Sequence, residues 1–170
     1  MPQAIFNFDK LIPSFEKVQK IPYKVCKFEE CEIDEKIQFG DCRHKSTLLK
    51  KILEKEGLEV KKIKVVFDWR DLPIPEKILS ILKKSGTVWV HDSLLVKLNK
   101  KWIKVDCTWD PSLEKKGFPV TSGWNGKDDT LQVTKGKLKF IQNDAYKIKL
   151  DKTEIKEFAE ELNKFLAQKV

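Results

Sequence analysis

Cys42 is the first residue of this chain whose type and position suggest chemistry. It stands in the segment "GDCRHKSTLLKKI", where Asp41 can cap a helix that the apolar pattern predicts to about Glu56. The free amides and the dipole of a helix N-terminus favour the thiolate, which is the reactive form of cysteine. Cys42 is therefore a candidate nucleophile whose own amide can face an oxyanion. The alternative is a buried structural cysteine, since free Cys is among the most buried residue types.

A nucleophilic cysteine needs a base, and the chain contains two histidines. His44 lies two residues after Cys42 on the same predicted helix, so the two side chains diverge by roughly 200°. We therefore expect His44 at the protein surface. His91 is distant in the sequence and lies on a predicted strand, so only the tertiary structure can bring it to Cys42.

His91 belongs to a predicted β-hairpin with a two-residue turn at Asn99-Lys100. Counting outward from this turn pairs Ser93 with Asp106. His91 and Asp106 then share one face of the hairpin and are diagonally adjacent, which places a carboxylate near the imidazole. A register shift of one residue would put them on opposite faces. They are either ordinary polar strand residues or a base with the acid that orients it.

The elements that must position these residues predict an α+β fold, in one domain over residues 1–170. In chain order they are one or two short helices around Pro13, the helix at 41–56, a strand at 58–67, a helix from Pro75 to about Lys84, the hairpin, one or two strands between 131 and 150, and a C-terminal helix. Asp151 and Glu154 predict a capping box at the start of that last helix.

The composition is that of a soluble globular chain with a charged surface. Hydrophobic residues make up 41% and charged residues 35%, and the formal net charge is +8. Lysines are spread along the chain and only two arginines occur, which makes a nucleic-acid partner unlikely. The chain has no secretory pattern and no apolar run long enough to span a bilayer, so we expect a cytoplasmic protein without a membrane partner.

The four cysteines are expected to be free thiols, as is usual in the cytoplasm. Cys26 and Cys31, with Cys42 and His44, can be drawn as a zinc site, but the spacing is loose and acidic residues intervene. Using Cys42 as a ligand would also remove the nucleophile. We therefore expect no metal and no cofactor. Cys107 falls on the apolar face of its strand and is expected in the core.

Several tryptophans lie near the hairpin. Trp89 and Trp102 share the face of His91 by strand parity, so one of them is expected to line a cleft beside it. Trp124 lies in an irregular segment and belongs either to a lid or to an ordinary surface loop.

The segments "GDC", "GLEVKKIKVV" and "VHDSLLVKLNKKWIKVDCTWDP", in this order, resemble the transglutaminase-like family, which is part of the papain-like cysteine enzymes. Gly40 and Cys42 match its Gly-x-Cys motif at a helix start, and His91 matches its strand histidine. The third motif is matched by Trp102, Val105, Asp106, Thr108, Trp109 and Asp110. The resemblance covers residues 38–112.

The resemblance implies a papain-like core, with the catalytic helix packed on an antiparallel sheet and flanked by N- and C-terminal helices. It also implies a catalytic triad of Cys42 as nucleophile, His91 as base and then acid, and Asp106 as the residue that orients His91. The chemistry it implies is acyl transfer or hydrolysis of a peptide or protein amide through a thioester. Gln38 is a candidate second oxyanion donor, as a glutamine is in papain-like enzymes.

The chain departs from the family pattern in two places. Asp92 and Ser93 follow His91 where many members carry alanine or an aromatic residue, and Cys107 follows Asp106 where proline is frequent. By strand alternation Asp92 is expected to face away from His91. The triad stays intact, and the sequence shows no calcium-binding acidic loop. The alternative function is a transglutaminase-like module that binds a peptide or protein and leaves the triad unused.

Overall fold

The structure is a computed structural model that describes residues 8–142 and 146–170. It is an α+β fold, as predicted, built on a four-stranded antiparallel sheet with the order β3-β2-β1-β4. The strands are β1 (Val60–Asp68), β2 (Val88–Leu98), β3 (Lys101–Val105) and β4 (Lys139–Ile141). The helices are α1 (Leu11–Gln19), α2 (Cys42–Lys55), α3 (Glu76–Leu79) and α4 (Lys152–Ala167).

Helix α2 begins at Cys42, as its sequence predicts. Asp41 is the N-cap, and its carboxylate accepts a hydrogen bond of 2.9 Å from the amide of Arg43. The apolar stripe of the helix, Leu48, Leu49 and Leu53, is buried, and α2 packs on β1 and β2. The cap and the stripe together place Cys42 at the first helical position, beside the sheet.

The hairpin of β2 and β3 has the predicted register. Asn99 and Lys100 both adopt positive φ, at 48° and 68°, which is the backbone of a two-residue turn matched to the strand twist. Leu98 therefore pairs with Lys101, and the ladder continues to Leu94 and Val105. The predicted face assignment of the hairpin is confirmed.

Helix α3 differs from the sequence prediction in its length, and helix α4 differs in how its first turn is capped. Helix α3 ends at Leu79 instead of continuing to Lys84. Asp151 caps α4 through the amide of Glu154, but the Glu154 carboxylate does not complete the predicted capping box. It accepts hydrogen bonds from the amides of Lys84 and Ser85 instead, and so fastens the turn after α3 to the start of α4.

The remaining predictions concern short elements. Pro13 lies in the first turn of α1, where its missing N–H has no partner in the helix, so α1 continues through it directly after the 3-10 turn Phe8–Lys10. Between residues 131 and 150 one strand, β4, pairs with β1, while residues 143–145 of that region lie outside the described part of the chain. Trp124 is buried against Phe15 with ring centroids 4.9 Å apart, so it belongs to the core and not to a lid.

In the described part of the chain, buried apolar residues form two clusters. One joins α1, α2 and the β2–β3 hairpin, and includes Leu11, Leu49, Leu94, Val96 and Ile103. The other joins β1, α3 and α4, and includes Val65, Phe67, Ile78, Phe158 and Leu162. Among the described residues, no helix combines the length and apolar character that crossing a membrane requires.

Lys45 is a buried cation that links three segments of the backbone. Its side chain is 1% exposed. The ammonium donates to the carbonyl oxygens of Gln19, Ile21 and Thr108, over 2.9, 2.7 and 2.8 Å. These bonds use all three of its N–H donors. They tie α2 to the end of α1 and to the chain that follows β3.

Replacing Lys45 is expected to destabilise the fold. Lys45→Met keeps the length of the side chain but leaves three buried carbonyl oxygens without their donor. We expect the free energy of unfolding, measured with urea, to fall by about 3 kcal/mol or more. Lys55→Met, at an exposed site in the last turn of the same helix, is the matched control and should cost less than about 1 kcal/mol. Equal effects of the two substitutions would contradict this role of Lys45.

Candidate active site

His91 and Asp106 form a buried hydrogen-bonded pair. The Nε2 atom of His91 lies 2.7 Å from Oδ2 of Asp106, and each residue is less than 10% exposed. The other carboxylate oxygen, Oδ1, accepts the amide of Thr108 over 2.9 Å. The amide of Asp106 itself donates to Oγ1 of Thr130 over 2.8 Å. Both the carboxylate and its backbone are therefore held, and the carboxylate in turn fixes the imidazole ring.

In this pair each residue stabilises the charged form of the other. Burial disfavours a charged His91, but the nearby charges of Asp106 and Cys42 and the hydrogen bond that His91 donates to Asp106 outweigh it and raise the pKa of His91 to about 10. Burial acts to raise the pKa of Asp106, yet the charge and hydrogen bond of His91 and the hydrogen bonds of Thr108 lower it overall. The pair is an imidazolium and a carboxylate at neutral pH.

Cys42 is the third residue that the structure brings to this point. Cys42 lines the same cavity as His91, and its charge acts to raise the pKa of His91, so the thiol and the imidazole lie near each other. Because Nε2 of His91 is bonded to Asp106, Nδ1 is the ring nitrogen left for the sulfur. Cys42 is partly exposed, whereas the other two residues are buried. The sulfur is thus the member of the set that solvent and substrate can reach.

Cys42 and His91 line one cavity of about 340 Å³. Its remaining wall is mostly aromatic and aliphatic, and consists of Tyr23, Val25, Phe67, Trp69, Trp89, Val90, Trp109, Val133, Leu150 and Ile155, with the polar residues Asp41, Arg43, Lys64 and Asp92. Of the two tryptophans considered from strand parity, Trp89 lines the cavity. Trp102 lies under the ammonium groups of Lys61 and Lys97 instead.

Tyr23 is a wall residue that sequence reasoning missed. It is buried, and its ring lies 4.6 Å from that of Trp109. Burial, followed by the charges of Cys42 and Asp41, raises its pKa well above 10. The phenol therefore keeps its proton and can act as a hydrogen-bond donor in the cavity that Cys42 also lines. A parallel bridge between Tyr23 and Gly40 places it there, and such a long-range bridge has no signature in the sequence.

Gln38 lies elsewhere. Its side chain is exposed and its Nε2 donates to the carbonyl oxygen of Lys36 over 2.8 Å. It is not among the residues that line the cavity. Asp92 behaves as strand alternation predicts, because its carboxylate pairs with Lys64 at 2.5 Å and not with His91.

The prediction that His44 is a surface residue is wrong. His44 is fully buried because the segment around Phe28 covers the start of α2, with the Phe28 ring stacked on the imidazole at 5.2 Å. The amide of Asp41 donates to Nδ1 of His44 over 3.1 Å, which makes His44 the second half of the helix cap. Cys107 is buried in the core, as its strand parity predicted.

The protonation of His91 can be observed directly, since the chain has only one other histidine. We expect the imidazole to remain protonated at pH 8, because its pKa is raised to about 10. Asp106→Asn removes the carboxylate charge while burial remains, so the pKa should fall and the ring should be neutral at pH 8. Imidazole ¹⁵N chemical shifts measure this, with His91→Gln for assignment.

Asp92→Asn is the control for this measurement, because it removes a neighbouring carboxylate that pairs with Lys64. It should leave the His91 shifts close to those of the wild type. If Asp106→Asn leaves His91 protonated at pH 8, Asp106 does not set the charge of the imidazole.

Comparisons of the chain with protein-family models, with curated proteins and with solved structures gave no match. Function therefore has to be argued from the site itself. The site consists of a partly exposed thiol at a helix N-terminus, a buried imidazole beside it and a carboxylate that holds the imidazole.

Proposed function

We propose that this chain is a thiol enzyme of the transglutaminase-like kind, with a papain-like core, that transfers or hydrolyses the acyl group of a peptide or protein amide. The observation that carries the proposal is the hydrogen bond of 2.7 Å between His91 and Asp106, with Cys42 and His91 lining one cavity. Acyl transfer requires a nucleophile, a base that contacts the nucleophile, and an acid that contacts and orients the base.

In the first step the Cys42 thiolate attacks the carbonyl carbon of the amide, and the carbonyl π electrons move to oxygen. The oxyanion needs donors already in place. The amide of Cys42 is free because it lies at the first position of α2, and the phenol of Tyr23 keeps its proton in the same cavity. We assign these two groups as the oxyanion donors.

In the second step the imidazolium of His91 gives its proton to the leaving nitrogen, the C–N bond breaks and a thioester remains on Cys42. Neutral His91 then takes a proton from water or from an acceptor amine as that group attacks the thioester. The C–S bond breaks, and the thiolate and the imidazolium are restored. Asp106 stays a carboxylate throughout and holds the ring in position.

The walls of the cavity favour an apolar substrate segment. Trp69, Trp89 and Trp109 line it together with several aliphatic side chains, so desolvation of an apolar side chain would contribute to binding. Arg43 and Lys64 are its basic groups, and both are paired with carboxylates, those of Asp41 and Asp92. The acyl donor that fits is accordingly a peptide with an apolar residue near the reacting amide.

The proposal predicts that Cys42 is the most reactive thiol of the chain. Iodoacetamide at pH 7 should alkylate Cys42 at least tenfold faster than the other three cysteines, and His91→Gln should abolish this advantage because the thiolate loses its partner. Mass spectrometry of digested protein identifies the modified residue. Glu59→Gln, which removes an exposed carboxylate paired with Lys97 of β2 away from the cavity, is the control and should leave the rate unchanged.

An unreactive Cys42, or one that His91→Gln does not affect, would contradict the enzyme proposal. It would favour the alternative of a peptide-binding module with an unused triad.

The role of Tyr23 is tested separately with two reactions. Acylation by p-nitrophenyl acetate passes through an oxyanion, and we expect Tyr23→Phe to slow its release of p-nitrophenol about 10²-fold. Alkylation by iodoacetamide forms no oxyanion and should proceed at the wild-type rate. The substitution keeps the ring that packs on Trp109. Equal slowing of both reactions would mean that Tyr23 acts on the thiol and not on the oxyanion.

A further inference from the structure

A second group of reactive side chains lies away from the cavity. Cys26, Cys31 and His44 each offer one ligand atom, and these three atoms lie within 4.8 Å of one another. None of the three residues lines the cavity that holds Cys42. Two thiol sulfurs and one imidazole nitrogen are the donors that zinc prefers in proteins.

The spacing of these atoms is close to that of a tetrahedral site. Two sulfurs bound to one zinc ion at about 2.3 Å lie about 3.8 Å apart. A separation of at most 4.8 Å therefore needs a movement of about 1 Å or less to close on a metal. Cys26 and Cys31 are both partly exposed and flank the short 3-10 turn Phe28–Glu30, so the movement is confined to one surface turn.

His44 is already oriented for ligation. Its Nε2 lies 3.1 Å from the carbonyl oxygen of Phe28, which is between the two cysteines in the sequence, so this nitrogen faces their turn. Its Nδ1 lies 3.2 Å from Oδ1 of Asp41. A histidine that binds metal through one nitrogen usually donates the other N–H to a carboxylate, and Asp41 is placed to accept it. The ring cannot rotate freely because it is fully buried.

The charge around the cluster also favours a cation. The carboxylate of Asp41 lies 3.2 Å from Nδ1 of His44, so a negative group stands next to the three donor atoms. The basic group nearby, Arg43, is bound to the Asp41 carboxylate over 2.7 Å and to the carbonyl oxygen of Cys26 over 2.6 Å. A divalent ion would balance two thiolates in these surroundings.

We propose that Cys26, Cys31 and His44 bind one Zn²⁺ ion, with a water molecule as the fourth ligand. Both thiols release their protons on binding, and the imidazole proton moves from Nε2 to Nδ1, which then donates a hydrogen bond to the Asp41 carboxylate in place of accepting one from the Asp41 amide. The ion ties the segment before and through the 3-10 turn to the first turn of α2. Tyr23 and Val25, in the wall of the cavity, belong to the same stretch of chain, so the metal stiffens one side of the Cys42 cavity.

This site does not compete with the proposed triad. The sequence placed Cys42 in one possible ligand set with Cys26, Cys31 and His44. In that set zinc binding would have used the sulfur that the proposed nucleophile needs. In the structure Cys42 faces His91, and the cluster is complete as three ligands without it. The zinc proposal therefore stands or falls independently of the enzyme proposal.

Cobalt is a suitable probe because it takes the same geometry and gives visible spectra. We expect the reduced, metal-free chain to bind one equivalent of Co²⁺ with thiolate charge-transfer and tetrahedral d–d bands, and Zn²⁺ to displace it. The double variant Cys26→Ser/Cys31→Ser should lose these bands. The matched control Cys42→Ser/Cys107→Ala, which also removes two thiols, should keep them. Circular dichroism checks that each variant is folded.

The melting temperature supplies a second readout, since an ion that binds only the folded chain stabilises it. Zn²⁺ should raise it for the wild type and for the control, and leave it unchanged for Cys26→Ser/Cys31→Ser. Absence of the cobalt bands in the folded, reduced wild type would overturn the proposal. So would bands that disappear in the Cys42→Ser/Cys107→Ala control and persist in the other variant.

Discussion

The buried ammonium of Lys45 is the interaction on which the arrangement of this site depends. Lys45 lies one helical turn beyond Cys42, and Thr108, one of its three carbonyl partners, lies two residues beyond Asp106. A single side chain therefore joins the helix that carries the thiol to the backbone that carries the acid. Burial lowers the pKa of Lys45 to about 8, while Cys107, Asp110 and Asp106 oppose that change, so the ammonium form still predominates at pH 7.

A series of hydrogen bonds connects the segment held by Lys45 to the residues of the candidate site. Thr108 donates to Asp106, Asp106 holds His91, and the imidazole faces the first residue of α2. Each group is held by a partner that is itself fixed, which is the condition for a preorganised site. Burying these charged groups is costly, but each of them has partners of the opposite sign or oriented dipoles.

The four cysteines lie in three different environments: Cys42 at the cavity, Cys107 in the core, and Cys26 with Cys31 beside His44.

Local rules predicted the parts of the site that depend on neighbouring residues. The cap at Asp41 and the apolar stripe located the start of α2 at Cys42, and a two-residue turn located the register that puts His91 beside Asp106. Both predictions rest on periodicities of the helix and the strand, which are independent of the rest of the fold. The absence of a side chain at Gly40 is required by the packing at the start of α2, since a Cβ there would lie 2.7 Å from Cβ of His44.

By itself, the sequence determined the α+β class, the hairpin register and the three residues of the candidate triad, because capping, periodicity and turn chemistry act over a few residues. Only the tertiary structure decided that His44 is buried, that Tyr23 lines the cavity of Cys42, and that Cys26 and Cys31 lie close to His44 without Cys42. These facts depend on where the chain before α2 folds back onto it, through the bridge of Tyr23 with Gly40 and the stacking of Phe28 on His44. Such contacts are set by packing between distant segments, which leaves no periodic trace in the sequence.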